Sequence, residues 1–534
     1  MSQESSARIP VDVRRFPWVR RLAADYAYDF RSLAPFYTGD PSAQASWADA
    51  VARVQAQEQP REDIARVVGA QQRRRGAPTR ALDAGARLAD PRAVAVLTGQ
   101  QAGLFGGPLF TLFKALTAIK LAEQVSHTFG IPAVAVFWVD AEDHDWNEVR
   151  SCSVFDADLG VKTVSLSARP TDDQSPVATV SLDNSIVSAI DELEQALPNT
   201  EFRASVIAQL RAAYAPGVGM ADAFSRFLEQ MLGDRGLIVY DASDKSSKPL
   251  AASVFERELS TPGYTVTLAG QAGANLTTNG YHAQVQTQDG SLALFTLDGG
   301  RRAIQRQDAV ALVAQAGKEP GNFSPNVLLR PIVQDSLFPT ISYVCGPSEL
   351  AYLGQLRGVY EHFGIPMPLM YPRASATLVD SAALRFLTKY NVPFEALQVQ
   401  DEAALNELLK AQIPPEIDAS LADAQRAIDT AMAKVIAAMP MLDPTLEGAA
   451  RSTLGKMQHD LQALTGKTIQ AAKRRDDTLR RQFMRTRALA FPGGHAQERT
   501  VGCVSFLNQY GPALVERLED ELPLDLGHHW IVAI

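Results

Sequence analysis

Residues able to do chemistry gather at three places in this chain. The first is Glu142-Asp143-His144-Asp145, three carboxylates and an imidazole in a row. Such a group can poise a general base or bind a substrate ammonium. Its spacing matches no zinc or calcium pattern, so a metal stays unknown. Asp143 and His144 are the candidate catalytic pair, with Glu142 and Asp145 as binding groups. A solvated acidic turn is the competing reading. The second place is Thr98-Gly99-Gln100-Gln101, followed by glycines at 103, 106 and 107. Glycines let backbone N–H groups approach a ligand. Pro108 suits the first turn of a helix, whose positive end would point to the same spot. Thr98, Gly99, Gln100, Gln101, Gly106 and Gly107 are therefore candidates to hold an anion or an acyl oxygen. The loop is not a Walker A motif, because no Gly-Lys-Ser/Thr follows, and it is out of register for GxGxxG. Glycines that only permit close strand–helix packing are the alternative.

The third place is Gly346-Pro347-Ser348-Glu349, where an acid opens a helix. Glu349 would repel phosphate and suit an amine, which makes it the third catalytic candidate. Upstream, Arg330 and Gln334 stand among leucines, isoleucine and valines. Polar groups there are costly unless paired. The Arg330 fork suits a carboxylate, and a structural ion pair is a reading of equal weight.

The elements that must position these groups are strands and helices in alternation. Residues 94–97 and 133–139 are continuous apolar runs, the mark of strands buried on both faces. Between them, residues 109–124 carry apolar side chains at helical spacing. This is the building block of a parallel α/β sheet. Residues 236–240, 340–345 and 367–371 predict further strands, with a helix from 347 to about 362. In open α/β sheets ligands bind beyond the carboxyl ends of the strands, so the three polar loops should share one cleft. Residues 151–235 and 255–335 are expected as inserted segments, the latter with a hairpin of 282–287 and 291–297 turning at Asp289-Gly290. From about residue 401 the composition shifts to Ala, Leu, Lys and acids. Leu421, Ala424, Ile428, Ala431, Val435 and Ala438 alternate steps of three and four, an a/d seam. A second helix carries Leu454, Met457, Leu461 and Leu464. Together they predict a helical hairpin or an arm pairing with another subunit. The expected division is a core over 1–385 and an arm over 386–534, whose tail packs back on the core.

Hydrophobic content of 46% and charged content of 21% are ordinary for a globular protein. A net charge of −9 argues against a surface that coats nucleic acid. The three cysteines are scattered and form neither a disulfide framework nor a CxxC site, which fits the cytoplasm. The N-terminus lacks an apolar signal core, and Lys114 and Lys120 interrupt the most apolar helix, so no membrane span is expected.

Several long motifs in order give a resemblance. TGQQAGLFGGPLFTLFKA, FWVDAEDHDWNEV, SPNVLLRPIVQDSLFPTISYVCGPSELAYLGQL, FGIPMPLMYPR and the LNQYG of the tail resemble the BshC family, the cysteine ligases of bacillithiol biosynthesis. Cys345 departs from the glycine expected in a GGP loop. The resemblance implies a Rossmann-like core with inserted segments and a C-terminal coiled coil that makes a homodimer. It also implies addition of cysteine to the amine of glucosaminyl-malate, the last step of the pathway. In that setting Asp143, His144 and Glu349 would serve the amine, Arg330 the malate, and the TGQQ loop a phosphate or acyl oxygen. ATP is inferred from the reaction class only, and the basic end of the arm is an alternative nucleotide site. A nucleotidyl- or sugar-modifying transferase, and a non-catalytic nucleotide-binding scaffold, are the alternatives.

Overall fold

The computed structural model describes residues 8–534 except 171–172, 287–289, 298–299, 413 and 476. The chain divides into two units, residues 1–378 with 496–534, and residues 379–495. The first unit is entered by β1 (Arg8–Asp12) and built on a five-stranded sheet. Two of its strands, β2 (Val94–Gln100) and β3 (Ala133–Val139), flank the helix α1 (Leu109–Phe129). Val94, Ala95, Val96 and Leu97 have no exposed surface, as a strand covered on both faces requires. Gly130, at φ 63°, ends α1 in the left-handed conformation that a side chain would resist.

Two inserted hairpin strands follow, β4 (Ser151–Phe155) and β5 (Val161–Ser165). The sheet resumes with β6 (Ile238–Asp241). A second insertion holds β7 (Ser291–Thr296), β8 (Arg302–Gln305) and β9 (Phe323–Pro325), joined in the order β8-β7-β9. The hairpin expected between 282–287 and 291–297 is not what forms. β7 pairs with β8 and β9, and residues 282–286 carry no strand. The buried Gln355 amide explains this. It donates to Val285 O at 3.1 Å and accepts from Val285 N–H at 2.9 Å, taking the place of a neighbouring strand. Thr287 and the turn residue Asp289 lie outside the described residues.

Helix α2 (Arg330–Leu337) then leads into β10 (Thr340–Cys345), helix α3 (Pro347–Leu353) and β11 (Leu369–Pro372). The single helix expected to about residue 362 breaks at Gly354, and a second one runs Arg357–Phe363. A Cβ at Gly354 would come within 2.7 Å of the Tyr37 hydroxyl, so the chain can pass there only as glycine. The five strands run in the order β11-β10-β2-β3-β6, all neighbours parallel. The register pairs Val344 with Thr98, Gln100 with Val139 and Val139 with Asp241. The carboxyl ends of β10, β2, β3 and β6 are therefore level. A separate sheet, β1-β13-β12, uses β12 (Ala376–Val379) and β13 (His528–Ala533), with Arg8 opposite Val532.

The second unit contains the long helices α4 (Pro415–Ala438), α5 (Leu446–Arg475) and α6 (Asp477–Ala490). Gln458 donates to Asp429 at 3.0 Å and ties α5 to α4. The partly buried stripe of α4 starts at Leu421, Ala424 and Ile428 as expected but continues through Met432 and Ile436. Ala431, Val435 and Ala438 are exposed. The larger side chains one residue on remove more apolar surface from water than the alanines would. On α5, Leu454 and Leu461 are partly buried while Met457 and Leu464 are exposed.

Candidate active site

A cavity of about 540 Å³ opens where β10, β2 and β3 end together. Gly99 makes the ends close. A Cβ there would lie 3.0 Å from Trp138 O, so a larger residue would push β2 off β3. Gly99, Gln100, Gln101, Asp143, Arg330 and Glu349 all line the cavity, which brings the three sequence clusters into one cleft.

At the β3 side the wall is acidic. Asp143 accepts from Gln101 Nε2 at 2.5 Å and from the His144 N–H at 2.7 Å, and Arg301 stands 3.9 Å away. Arg301 is itself held by a bond to Pro325 O at 2.7 Å and lies 4.2 Å over the Phe295 ring. Asp140, the first residue after β3, faces Arg330 Nε at 3.6 Å. Burial raises the Asp140 pKa, Arg330 opposes this, and the charges of Asp143 and Glu142 add to the rise. Arg330 gives its other N–H groups to Gln334 at 3.2 Å and Tyr352 at 2.7 Å. Gln334 passes on to Asp335 at 3.0 Å, so it braces Arg330 from behind.

At the centre the Lys114 ammonium, only 2% exposed, is bonded to Gly99 O at 2.7 Å, Gln100 Oε1 at 3.0 Å and the Glu349 carboxylate. Glu349 also accepts from Gly346 N–H at 2.7 Å and Tyr343 OH at 3.0 Å. Burial, the largest single effect, raises the Glu349 pKa, but the charge and hydrogen bond of Lys114, the Gly346 N–H and the Arg330 charge together hold the carboxyl below its usual value. Burial draws the Lys114 pKa down, with Glu349 resisting.

At the β11 side the wall is basic. Arg373 is bidentate to Glu498 at 2.6 and 3.0 Å. Arg373 and Arg499 both approach the Phe110 ring, at 5.2 and 5.8 Å from its centroid. Among the described residues no carboxylate or carbonyl bonds the Arg499 guanidinium, and burial beside Arg373 lowers its pKa. Strands β11 and β3 are three spacings apart, about 14 Å at 4.7–4.9 Å each. The cleft thus carries negative charge at one end and a free cation at the other.

The remaining candidates sit elsewhere. Thr98 is buried and donates to Val344 O at 2.9 Å, tying β2 to β10. Glu142 pairs with the buried Lys248 and accepts from Ser324 at 3.2 Å, away from the main cavity. Asp145 caps the short helix Trp146–Val149, accepting from the Glu148 N–H at 3.2 Å. His144 is partly exposed, with Nδ1 3.3 Å from Asp143. Gly106 and Gly107 offer no N–H to a ligand. Gly106 N–H donates to Tyr214 Oη at 3.1 Å, and Gly107 N–H to Leu104 O at 3.1 Å. The start of α1 is spent too, since Leu109 N–H bonds to Val501 O at 2.8 Å. These glycines serve packing: a Cβ on Gly106 would meet Phe227 at 2.8 Å and Cys503 at 3.0 Å. Reading the sequence left out Lys114, Asp140, Arg301, Arg373 and Arg499. Lys114 had a signal, a charge among the apolar residues of the first turns of α1. Arg499 had none.

Level strand ends around a polar cleft make the first unit an α/β ligand-binding domain of Rossmann-like type. A family model for the BshC N-terminal Rossmann-like domain of bacillithiol biosynthesis matches residues 9–374, and one for the BshC C-terminal coiled-coil domain matches 376–534. The chain belongs to the BshC family. Relatives named "Putative cysteine ligase BshC" include the Salinibacter ruber protein, 34% identical with 96% of each chain covered. The Chlorobaculum tepidum relative is 34% identical over 81% of each chain. That of Symbiobacterium thermophilum is 33% identical over 94% of this chain and 96% of its own.

Proposed function

We propose that this chain is a cysteine ligase that joins the cysteine carboxyl to the amine of glucosaminyl-malate, the amide-forming step that completes bacillithiol. The observation that carries the reading is the opposed charge of the cleft. Asp140 and Asp143 suit an ammonium; Arg499 beside Arg373 suits carboxylates. Glucosaminyl-malate bears both an amine, on the sugar, and a dicarboxylate, in its malate. The relatives' names, "Putative cysteine ligase BshC", support the ligase class and the use of cysteine.

In this reading Asp143, oriented by Gln101, binds the substrate amine, with His144 behind it. Arg330 is largely engaged by Tyr352, Gln334 and Asp140, so the malate falls mainly to Arg499. Glu349 anchors Lys114 at the cleft floor. A carboxylate resists attack by an amine, so the cysteine carboxyl must be activated, and ATP is the activator that the reaction class calls for. The 103–107 loop does not fit as its phosphate cradle, because the N–H groups of Gly103, Gly106 and Gly107 are already bonded. The reading places the enzyme in the cytoplasm as a homodimer through its helical arm. Among the described residues no helix is long and apolar enough to cross a membrane.

Mass spectrometry of the purified chain with cysteine, glucosaminyl-malate and ATP should show a product only when cysteine and glucosaminyl-malate are both present. Turnover of nucleotide-sugars without any use of cysteine would replace this reading with a transferase.

A further inference from the structure

Amide formation needs a group that removes a proton from the amine, and the cleft contains several carboxylates that differ in how much of their capacity is already used. Asp143 accepts from Gln101 and from the His144 backbone, and His144 Nδ1 and Arg301 stand close by. Glu349 accepts from Lys114, Gly346 N–H and Tyr343 OH. Each of these bonds occupies a lone pair that a proton would need. Asp140 differs. Among the described residues no N–H or O–H donates to its carboxylate, and its nearest cation, Arg330 Nε, is 3.6 Å away, beyond hydrogen-bond reach. It nevertheless lines the cavity, at the end of β3, on a backbone fixed by Asp140 N–H donating to Gln100 O at 3.0 Å.

We propose that Asp140 is the proton acceptor for the substrate amine, and that Asp143 and Glu349 are fixed charges that position the amine and the cleft floor. The inference rests on the ligase reading and assigns a role within it. In the step, an N–H bond of the ammonium breaks and its proton goes to an Asp140 oxygen. The freed lone pair forms the C–N bond with the activated cysteine acyl carbon. The phosphate-class leaving group on that carbon departs with the electron pair of its C–O bond and takes up the second proton of the nitrogen, which leaves a neutral amide. A carboxylate with no hydrogen-bond donor on either oxygen and a raised pKa is the better base near neutral pH. The groups facing it are Arg330 from α2, Arg301 just before β8, and Asp143 and Glu142 from its own loop.

The test compares the full-length protein with Asp140→Asn, Asp140→Glu, Asp143→Asn and, because the Glu148 carboxylate also lines the cavity, Glu148→Gln, each checked for an unchanged thermal midpoint. Asp140→Asn should lower kcat/KM by at least roughly a hundredfold and abolish the acid limb of its pH profile. Asp140→Glu should restore part of the rate with that limb displaced, while Asp143→Asn keeps the limb and raises KM. An acid limb that persists in Asp140→Asn, or that vanishes instead in Glu148→Gln, overturns the assignment. Calorimetry with glucosamine and N-acetylglucosamine separates this outcome from failure of the ligase reading. If wild type makes no product, Asp140→Asn should still bind glucosamine at least tenfold more weakly and N-acetylglucosamine, which has no titratable amine, equally well. Equal glucosamine affinity in the two proteins overturns the role of Asp140 whether or not product forms.

Discussion

A lysine ammonium removed from water must be paired or lose its charge. Lys114 keeps its charge through Glu349, Gly99 O and Gln100. Lys114→Met should therefore leave Glu349 as an uncompensated buried anion and cost about 3–5 kcal/mol. The Lys114→Met/Glu349→Gln double variant should regain much of that loss, and a double-mutant cycle of urea melts measures the coupling. Asp335 behaves oppositely. Burial lifts its carboxyl from 3.8 to about 6, although Tyr360 OH at 2.6 Å and Gln334 favour the anion. A pKa raised by folding contributes stability that is complete below the unfolded value and is lost as pH rises through about 6. The stability of Asp335→Asn relative to wild type should thus fall between pH 7.5 and pH 4, by up to about 3 kcal/mol. At this scale the sequence was informative where side-chain type alone implied function. Asp143 and Glu349 reached the cleft because their loops leave level strands of one sheet, while Arg330 enters from the start of α2. Gly106 and Gly107 were misjudged because glycine serves a close approach of protein as readily as one of ligand. Lys114 was missed because its partner, Glu349, lies 235 positions away in the chain.

At the scale of elements, the strands were legible because runs such as 133–139 allow few other interpretations. Breaks within helices were not. Helix α3 ends at Gly354, where Tyr37 leaves no room for a Cβ, a contact that no local pattern announces. Gln355, next in the chain, turns inward and gives residues 282–286 an edge to lie against. Gln355→Leu preserves volume but strands the Val285 N–H and C=O. It should cost about 1–3 kcal/mol, and the Val285 amide should exchange its hydrogen faster than in wild type. No loss of protection there would show that the segment is held by its side chains instead. The arm shows a similar limit. A step of three or four identifies a helical face, yet the choice between Ala431 and Met432 depends on what α5 presents opposite.

For the whole molecule, the arm offers exposed Val435, Met457 and Leu464 on the faces of α4 and α5. The homodimer proposal uses such surface, and light scattering provides its check. The full chain should have twice the mass of one subunit, and a chain lacking residues 401–489 should be monomeric. A dimer that survives the deletion would place the interface on the first unit. The cleft also has an order of completion. Residues 9–374 supply every strand of the parallel sheet, but Glu498 and Arg499 come after the arm. Chains grow from the N-terminus, and early segments can fold before later ones emerge. On the ribosome the sheet can therefore be finished while Arg373 still lacks its carboxylate and the basic corner does not exist. A nascent chain stalled before residue 496 would hold every strand of the central sheet but neither Glu498 nor Arg499, so the cleft cannot be completed until the whole arm has been made.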